Sequence, residues 1–253
     1  LKPKPTDVIL ATPPKCGTTL LCAIAHALRS GGDMSFEEIN IVIPCLEMAY
    51  DSGLKNLDND NQGGHRPRLF KTHSWYHDCP KGDGVRYIVV YRDPLDAGLS
   101  FYHFLGGWFF DTSEISIDEF LQEFMLARGV PESKMQNASQ WHNMASWYPY
   151  RNDPNVLFVF YEDLVAHHKA SVDLIADFLQ VENDSPELRA LAVEQSKIEN
   201  MFKFPTKYDE HVLKEARNVA CGLHPRAGLD GRSAAKVRVG KVGKGKDALA
   251  PEI

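Results

Sequence analysis

A short loop with one lysine, one glycine and two threonines is the first place in the sequence where chemistry is expected. Residues 12–19 read TPPKCGTT; they follow an apolar run and precede a helical pattern that begins at Thr18. Backbone N–H groups at a helix N-terminus bind anions, and the Lys15 cation and the threonine hydroxyls strengthen such a site. In a Walker A loop the lysine follows the second glycine, whereas here Lys15 precedes Gly17. The loop predicts a phosphate-like ligand and argues against a standard ATPase site.

A lysine and a histidine follow the second apolar run, residues 68–72. Lys71 and His73 stand two positions apart at the end of this predicted strand. The pKa of a free histidine, near 6.5, leaves it mostly neutral at cytosolic pH, and a neighbouring lysine favours the neutral form. His73 is therefore a candidate general base. The alternative is a histidine that holds a loop by hydrogen bonds.

An arginine follows the third apolar run, residues 86–91. Arg92 stands at its end, and Ser100 comes about two helical turns later. A guanidinium can bind a phosphate with two parallel hydrogen bonds, so the two residues can form a second anion site. The alternative is an ion pair between Arg92 and Asp93 that caps the following helix.

Two further segments are open to two interpretations each. Residues 106–110 read GGWFF, which suits either a lid over an apolar substrate or a surface loop whose aromatic rings enter the core. The Gly-rich end of the chain is either a solvated tail or a clamp over an anionic cofactor. Its basic residues are Arg226, Arg232, Lys236, Arg238, Lys241, Lys244 and Lys246.

The elements that must position these residues alternate along the chain. Apolar runs at residues 7–11, 68–72, 86–91 and 156–161 predict buried parallel strands. Helical patterns separate or follow them, at residues 18–29, 36–50, 94–105, 117–127, 138–148, 162–179 and 186–198. This order predicts a single α/β domain over residues 1–253, with a central, mostly parallel sheet flanked by helices. Ligands of such sheets bind at the carboxyl ends of the strands, where the candidate residues lie.

The composition limits the classes of protein. The net charge of −6 argues against a general nucleic-acid binder, and no apolar run approaches the roughly 20 residues of a membrane span. The five cysteines form no C-x-x-C pair, which favours free thiols in a reducing compartment, and no metal-ligand cluster is evident. The sequence begins at Leu1 rather than Met, as expected if residues precede it, and shows no secretory or transit signal. We therefore expect a cytoplasmic protein without a metal.

Taken together, the motifs resemble those of the cytosolic-type sulfotransferases. Residues 12–19 are similar to that family's 5′-phosphosulfate loop, residues 91–104 to its 3′-phosphate motif, and residues 71–73 (KTH) to the segment with its catalytic histidine. Further similar segments, in the family's order, are residues 44–47 (PCLE), 141–147 and 160–164 (FYEDL). The resemblance extends from about Asp7 to Lys246.

The resemblance implies transfer of a sulfuryl group from 3′-phosphoadenosine 5′-phosphosulfate (PAPS) to a hydroxyl or amine of a small molecule. The product nucleotide is adenosine 3′,5′-bisphosphate (PAP), and no metal is implied. His73 is the implied general base, and Lys15 and Lys71 stabilise charge on the transferred group. The implied cofactor-binding residues are Lys15, Cys16, Gly17, Thr18, Thr19, Leu20, Arg92, Ser100, Tyr161, Ser196, Arg238, Val239 and Gly240.

Some positions depart from the family's pattern. Leu20 stands where an aromatic ring usually stacks on adenine, and Ile198 also replaces an aromatic residue of the adenine pocket. The late Arg-Lys-Gly motif is best matched by residues 238–240, with residues 226–228 as a rival. The family's common dimer motif has no clear counterpart, so either a monomer or a homodimer is expected.

The acceptor pocket is expected to be apolar or aromatic, so the expected partner is a small molecule with such a body. The candidate pocket residues are Pro14, Trp75, Tyr76, Phe104 and Trp108. Two other hypotheses remain at this point: a small-molecule or nucleotide kinase of related fold, and a non-catalytic nucleotide-binding relative. The position of Lys15 counts against the kinase, whereas the sequence does not separate the enzyme from the binder.

Overall fold

Four parallel strands form the centre of the protein, as the computed structural model shows. They are β1 (Val8–Ala11), β2 (Leu69–Thr72), β3 (Arg86–Tyr91) and β4 (Val156–Phe160), in the spatial order β2-β1-β3-β4. The structure describes residues 1–59, 62–133, 136–229, 234–238 and 240–248. The α/β fold with a central parallel sheet that the sequence predicted is confirmed.

Helices connect and cover the strands. In chain order they are α1 (Thr18–Ser30), α2 (Ile39–Val42), α3 (Pro94–Gly106), α4 (Ile117–Glu119), α5 (Gln140–Trp147), α6 (Tyr161–Ala166), α7 (His168–Leu179), α8 (Pro186–Gln195), α9 (Ile198–Met201), α10 (His211–Arg217) and α11 (Lys244–Ala248). A π-helix, Phe120–Leu126, continues α4, and 3₁₀ turns lie at Gln62–Gly64, Tyr148–Tyr150, Pro205–Tyr208 and Val219–Cys221.

The sheet is buried on both faces. Side chains alternate between the faces of a strand, and Val8 and Leu10 pack with the core that includes α1 and α7, whereas Ile9 and Ala11 pack with the aromatic core around Trp147. This burial explains the continuous apolar runs that predicted the strands. The candidate site residues lie at the carboxyl edge of this buried sheet.

One predicted helix is wrong. Residues 36–50 were expected to be helical, but the structure has helix only at Ile39–Val42. Proline disfavours a helical conformation in the residue before it, and the chain is extended around Pro44, whose carbonyl accepts a hydrogen bond of 2.9 Å from Lys71 N. Cys45 then forms an isolated parallel bridge with Lys71, on the side of β2 that faces away from β1. The segment places Glu47 beside the end of β2.

Two other predicted helices are interrupted. The expected helix over residues 162–179 is divided at His167, where α6 ends and α7 begins. The expected helix over residues 186–198 ends at Gln195, and α9 starts anew at Ile198. Both breaks turn side chains toward the cavity described next, since His168 and Ile198 line it.

Candidate active site

A cavity of about 1100 Å³ opens at the carboxyl ends of β1, β2 and β3. It gathers most of the residues that the sequence singled out. The predicted site residues that line it are Pro14, Lys15, Gly17, Thr18, Thr19, Leu20, Lys71, His73, Arg92, Ser100, Phe104, Trp108, Tyr161, Ser196, Arg238 and Gly240. Residues from both ends of the chain therefore meet in one site.

Four predicted site residues are not part of this lining. Cys16 is buried beneath the loop, where burial raises the pKa of its thiol to about 12. The Tyr76 ring stacks on Tyr150 at 3.8 Å, and Trp75 donates a hydrogen bond of 2.6 Å to Asp78, so neither ring is turned into the cavity. Val239 lies outside the described residues.

The loop of residues 12–19 requires unusual backbone conformations. Lys15 has φ +65° and Gly17 has φ +104°, a region that favours glycine. A Cβ atom on Gly17 would lie 2.6 Å from Cδ2 of Tyr161, so the position admits no side chain. Gly17 is also the N-cap of α1, whose first N–H groups point out of the helix end and lie beside the cavity.

The Lys15 ammonium group lies inside the site. Its Nζ atom is 4.1 Å from the centroid of the Phe104 ring, a cation–π contact. Burial lowers the pKa of Lys15 to about 7, and repulsion from Lys236 contributes. An anion bound at the loop would favour the charged form, so Lys15 is suited to a ligand that brings negative charge.

The His73 side chain has a fixed tautomer. Its Nδ1 lies 2.8 Å from the carbonyl oxygen of Thr12, which only accepts hydrogen bonds, so Nδ1 carries the proton in the neutral ring. Nε2 is therefore the nitrogen with the free lone pair. Burial lowers the pKa of His73, which keeps the ring neutral near pH 7. This is the state that a general base requires.

Glu47 holds the backbone that carries His73. Its Oε1 accepts hydrogen bonds from His73 N at 2.7 Å and from Thr72 Oγ1 at 2.5 Å. Burial alone would raise the pKa of Glu47, but His73 and these hydrogen bonds lower it, so the carboxylate stays ionised. In the sequence, residues 44–47 stood out only through the family resemblance. The helix expected there did not predict the contact between Glu47 and the backbone of His73.

Arg92 lies at the end of β3 with part of its hydrogen-bonding capacity unused. One of its terminal nitrogens donates to Lys15 O at 3.3 Å and the other to Lys241 O at 3.4 Å, while Cζ lies 4.3 Å from the centroid of the Tyr161 ring. Its Nε atom is buried, and among the described residues it has no hydrogen-bond partner. A buried unpaired donor is costly, so an anion is expected beside it.

Asp96 holds residues 243–245 against the start of α3. It is buried on α3, and its carboxylate accepts hydrogen bonds from Gly243 N at 2.7 Å and Gly245 N at 2.6 Å. A Cβ atom on Gly245 would lie 2.4 Å from the carbonyl carbon of Leu95, which shows how closely the two segments approach. This arrangement brings Arg238 and Gly240 to the cavity, whereas Arg226 is not part of its lining.

The far end of the cavity is aliphatic. Leu20 and Ile198 line it, and Gly240 packs so closely on Ile198 that a Cβ there would lie 2.4 Å from Ile198 Cδ1. Ser196 is held by His168, whose Nε2 lies 2.9 Å from Ser196 Oγ. The sequence gave no signal for His168, because it comes after a helix break that the pattern did not predict.

Aromatic rings form another wall. Phe104 and Trp108 meet edge to face at 5.7 Å between ring centroids, and Trp108 donates a hydrogen bond of 2.9 Å to Asn218. Phe109 also lines the cavity, whereas Phe110 packs on Phe120. Two rings of residues 106–110 therefore line the cavity and the third packs in the aromatic cluster around Phe120, and a lid over a substrate stays a prediction.

Two charged residues of the site were not predicted as site residues. Glu210 precedes α10, and its Oε1 contacts the Nζ atoms of both Lys71, at 3.6 Å, and Lys236. All three side chains are at most 10% exposed, and all three line the cavity. Burial would raise the pKa of Glu210, but Lys236 and Lys71 hold it well below its usual range. Lys236 was visible in the sequence only as one of several C-terminal basic residues.

In the described part of the chain, no group of three or more His, Cys, Asp or Glu side chains could hold a metal ion. Among the same residues, no helix has the length and the apolar character that crossing a membrane requires.

Comparison with known proteins identifies the family. Residues 5–253 match the family model described as the sulfotransferase domain. The amine sulfotransferase of the rabbit, Oryctolagus cuniculus, is 28% identical over 82% of this chain and 66% of its own length. Human sulfotransferase 1E1 (Homo sapiens) is 27% identical over 90% of this chain and 77% of its own length.

Solved structures have the same fold. A retinol dehydratase described as a complex with androsterone and the inactive cofactor PAP superposes with a TM-score of 0.69, at 21% identity over 99% of this chain and 78% of that one. Mouse sulfotransferase SULT7A1, complexed with PAP, has a TM-score of 0.65 at 20% identity, over 100% of this chain and 82% of that one.

The chain belongs to the sulfotransferase family, because the family model covers nearly its whole length. The family and the sulfotransferase class of enzyme that the sequence predicted are confirmed, and the kinase alternative is not favoured. The chain spans 66% of the rabbit relative and 77% of the human one.

Proposed function

We propose that the protein transfers a sulfuryl group from PAPS to the hydroxyl or amine of a small molecule with an apolar or aromatic body. The choice of PAPS as the sulfuryl donor rests on the Nε atom of Arg92, which is buried and has no hydrogen-bond partner in the described structure. Arg92 follows β3 and comes two residues before α3, which carries Ser100, and its guanidinium donates a hydrogen bond to Lys241 O in the segment that carries Arg238. Arg92, Ser100 and Arg238 all line the cavity, so we expect a phosphate there to bind two arginines and a hydroxyl. The 3′-phosphate distinguishes PAPS from ATP.

The other donors fit the rest of this nucleotide. The N-terminus of α1, with Gly17, Thr18 and Thr19, supplies N–H groups and hydroxyls for the 5′-phosphate. Leu20 and Ile198 offer an aliphatic surface for the adenine in place of an aromatic stack. The structures of mouse SULT7A1 and of retinol dehydratase that share this fold were solved with PAP. PAPS, when bound, supplies the sulfuryl group and the leaving phosphate.

The protein's own residues move the proton and stabilise charge. We assign His73 Nε2 as the base that takes the acceptor's proton as the acceptor oxygen or nitrogen bonds to sulfur and the bond from sulfur to the bridging oxygen breaks. Lys15 stabilises the charge that collects on that oxygen, and Lys71 holds the sulfuryl oxygens. Positioning of this kind supplies most of the catalysis of group transfer between oxygens. The products are the sulfated acceptor and PAP.

The acceptor would bind between His73 and the aromatic wall of Phe104, Trp108 and Phe109. The retinol dehydratase structure contains androsterone, an alcohol with an apolar body, which supports this class of acceptor. Pro14 and Met48 complete an apolar border at this end. A single domain over residues 1–253, a cytoplasmic location, a monomeric or homodimeric state, and the absence of a metal remain predictions.

A sulfate-transfer assay tests the proposal. The protein is incubated with PAPS labelled in its sulfuryl group and with a phenol, a steroid alcohol or an amine, and labelled product is separated. We expect transfer to at least one acceptor by the wild type, with no added metal, and at least a hundredfold slower transfer by His73→Ala. Equal rates in the two proteins would remove His73 from the mechanism.

A further inference from the structure

The carboxylate of Glu210 gathers two lysines at the reacting end of the cavity. Lys71 Nζ lies 3.6 Å from Glu210 Oε1, and Lys236 Nζ donates to the same oxygen. Because both ammonium groups contact one atom, they are neighbours. Lys71 is the second-last residue of β2 and comes two residues before His73, so the cluster lies beside the proposed base.

Backbone contacts hold Glu210 and its neighbours in place. Glu210 O accepts a hydrogen bond of 2.9 Å from Lys214 N at the start of α10, and Val212 N donates to the buried carboxylate of Glu38 at 2.9 Å. Lys236 lies in the described stretch 234–238, where Ala234 is buried. The cluster is therefore built into the fold and is not a pair of mobile surface chains.

The charges of this cluster do not balance. Lys71 and Lys236 are two cations in contact with one anion, Glu210, which leaves one positive charge unmatched among these three groups, and Lys15 lines the same cavity. Burial lowers the pKa of Lys15, repulsion from Lys236 lowers it further, and attraction to Glu210 opposes the change, as expected for charged groups that line one cavity. A buried ion pair alone contributes little to stability, whereas a buried surplus of cations is typical of an anion-binding site.

We propose that Lys236 is a third catalytic lysine, which binds the sulfuryl end of the donor together with Lys15 and Lys71, and that Glu210 is the positioning residue that holds Lys71 and Lys236. The inference rests on the proposed function. The phosphosulfate group carries about two negative charges, one on phosphorus and one on sulfur, and these ammonium groups would lie beside them. Three ammonium groups then stabilise the charge on the transferred oxygens. Lys236 belongs to the C-terminal segment, so its ammonium group contributes only when that segment is folded against the site.

Comparison of PAPS with PAP isolates this role, since PAP lacks the sulfuryl group. Binding of each nucleotide is measured by calorimetry without an acceptor, for the wild type, Lys236→Met and Lys236→Gln. Either substitution leaves Glu210 paired with Lys71, and glutamine also keeps a hydrogen bond to Glu210, so a folded variant is available. Lys169→Met is the matched control, because Lys169 also pairs with an acid, Asp173 at 2.7 Å, but is 79% exposed and is not part of the cavity lining.

We expect both Lys236 variants to bind PAPS at least tenfold more weakly and to bind PAP within twofold of the wild type. Transfer to an acceptor should fall about a hundredfold in either variant and be unchanged in Lys169→Met. Unchanged PAPS binding, or equal losses for PAPS and PAP, would overturn the role of Lys236 at the sulfuryl group. If the wild type bound neither nucleotide, the proposed function itself would have failed.

Glu210→Gln gives a second, independent readout. The variant keeps the shape of the side chain but removes the charge that holds the two lysines. We expect weaker PAPS binding with PAP binding retained. The alkaline limb of the pH–rate profile should begin at lower pH, because the Glu210 carboxylate raises the pKa of Lys15 and without it Lys15 loses its proton more readily. A profile and a PAPS affinity identical to those of the wild type would show that Glu210 does not position these lysines.

Discussion

The Nδ1 atom of His73 lies 2.8 Å from the carbonyl oxygen of Thr12, so the loop that ends β1 determines which nitrogen of His73 can accept a proton. Thr12 O can only accept, which assigns the proton to Nδ1 and the lone pair to Nε2. Thr12 also contacts Thr18 through its hydroxyl, at the first turn of α1. The base and the anion-binding loop are thus connected through one residue.

The first prediction concerns the proton acceptor. His73→Ala should lower kcat by about 10²–10⁴-fold, the usual contribution of a general base, and should leave the affinity for PAP within threefold. His77→Gln is the control, because His77 is exposed and contacts the rings of Trp75 and Tyr76 away from the cavity. Retained turnover in His73→Ala would contradict the assignment, as would a loss of PAP binding equal to the loss of turnover.

The second prediction is a bell-shaped dependence of kcat/KM on pH at subsaturating PAPS. His73 must be neutral, and its pKa is lowered, so the rate should rise with pH along a limb that lies below pH 6.5. Lys15 must be charged, and its pKa in the free protein is about 7, so the rate should fall above that pH.

Lys15→Arg tests the alkaline limb. A guanidinium stays protonated over this range, so the fall near pH 7 should disappear even if the maximal rate is lower. The profile of Lys169→Arg should be that of the wild type, because Lys169 is exposed and pairs with Asp173. An unchanged alkaline limb in Lys15→Arg would assign that limb to another group.

The third prediction concerns Gly17. Alanine there would meet two obstacles: a φ of +104° and a contact of 2.6 Å with Tyr161. We expect Gly17→Ala to lower the free energy of unfolding by more than about 1 kcal/mol and to weaken PAP binding at least tenfold. Thermal unfolding and calorimetry measure the two effects.

Gly31→Ala separates backbone strain from the steric contact. Gly31 caps the other end of α1 with φ +69°, and an added Cβ would meet nothing within 4 Å. This variant should show the cost of strain, about 1 kcal/mol, with PAP binding unchanged. Equal effects of the two variants on PAP binding would show that the loop tolerates a side chain at Gly17.

The fourth prediction concerns the fastening of the C-terminal segment. Asp96→Ala removes the acceptor of the N–H groups of Gly243 and Gly245. We expect at least a tenfold loss of PAP affinity, since Arg238 would no longer be held over the site, and faster proteolysis of the segment. Asp111→Ala is the control, because its carboxylate is exposed and accepts hydrogen bonds from Ser113 alone. Unchanged PAP affinity in Asp96→Ala would contradict this role.

The strands and the phosphate loop could be predicted because the information is local. Residues 86–91 are apolar on both faces, and the observed β3 has the predicted bounds. The N-terminus of α1 is set by Gly17, which is visible in the sequence. The helix expected over residues 36–50 was wrong. The apolar spacing of these residues fits a helix, but Pro44 and the pairing of Cys45 with Lys71 keep the chain extended after Val42.

The remaining features of the site depend on contacts between distant segments. Glu210 and Lys71 are separated in sequence by about half the chain, and Lys236 comes from the C-terminal segment. No local sequence pattern therefore predicts that these three side chains meet. Trp75 and Tyr76 come shortly after His73, separated from it by Ser74, and were expected in the pocket. Their rings instead meet Asp78 and Tyr150, because tertiary packing and not proximity in sequence decides where a ring points.

We propose that the site binds a nucleotide with a 3′-phosphate, and a thermal-shift comparison of two nucleotides tests this proposal. The melting temperature is measured with PAP and, separately, with ATP and magnesium. We expect PAP to raise the melting temperature in a concentration-dependent way, and we expect no rise with ATP and magnesium. A rise with ATP and magnesium and none with PAP would contradict it.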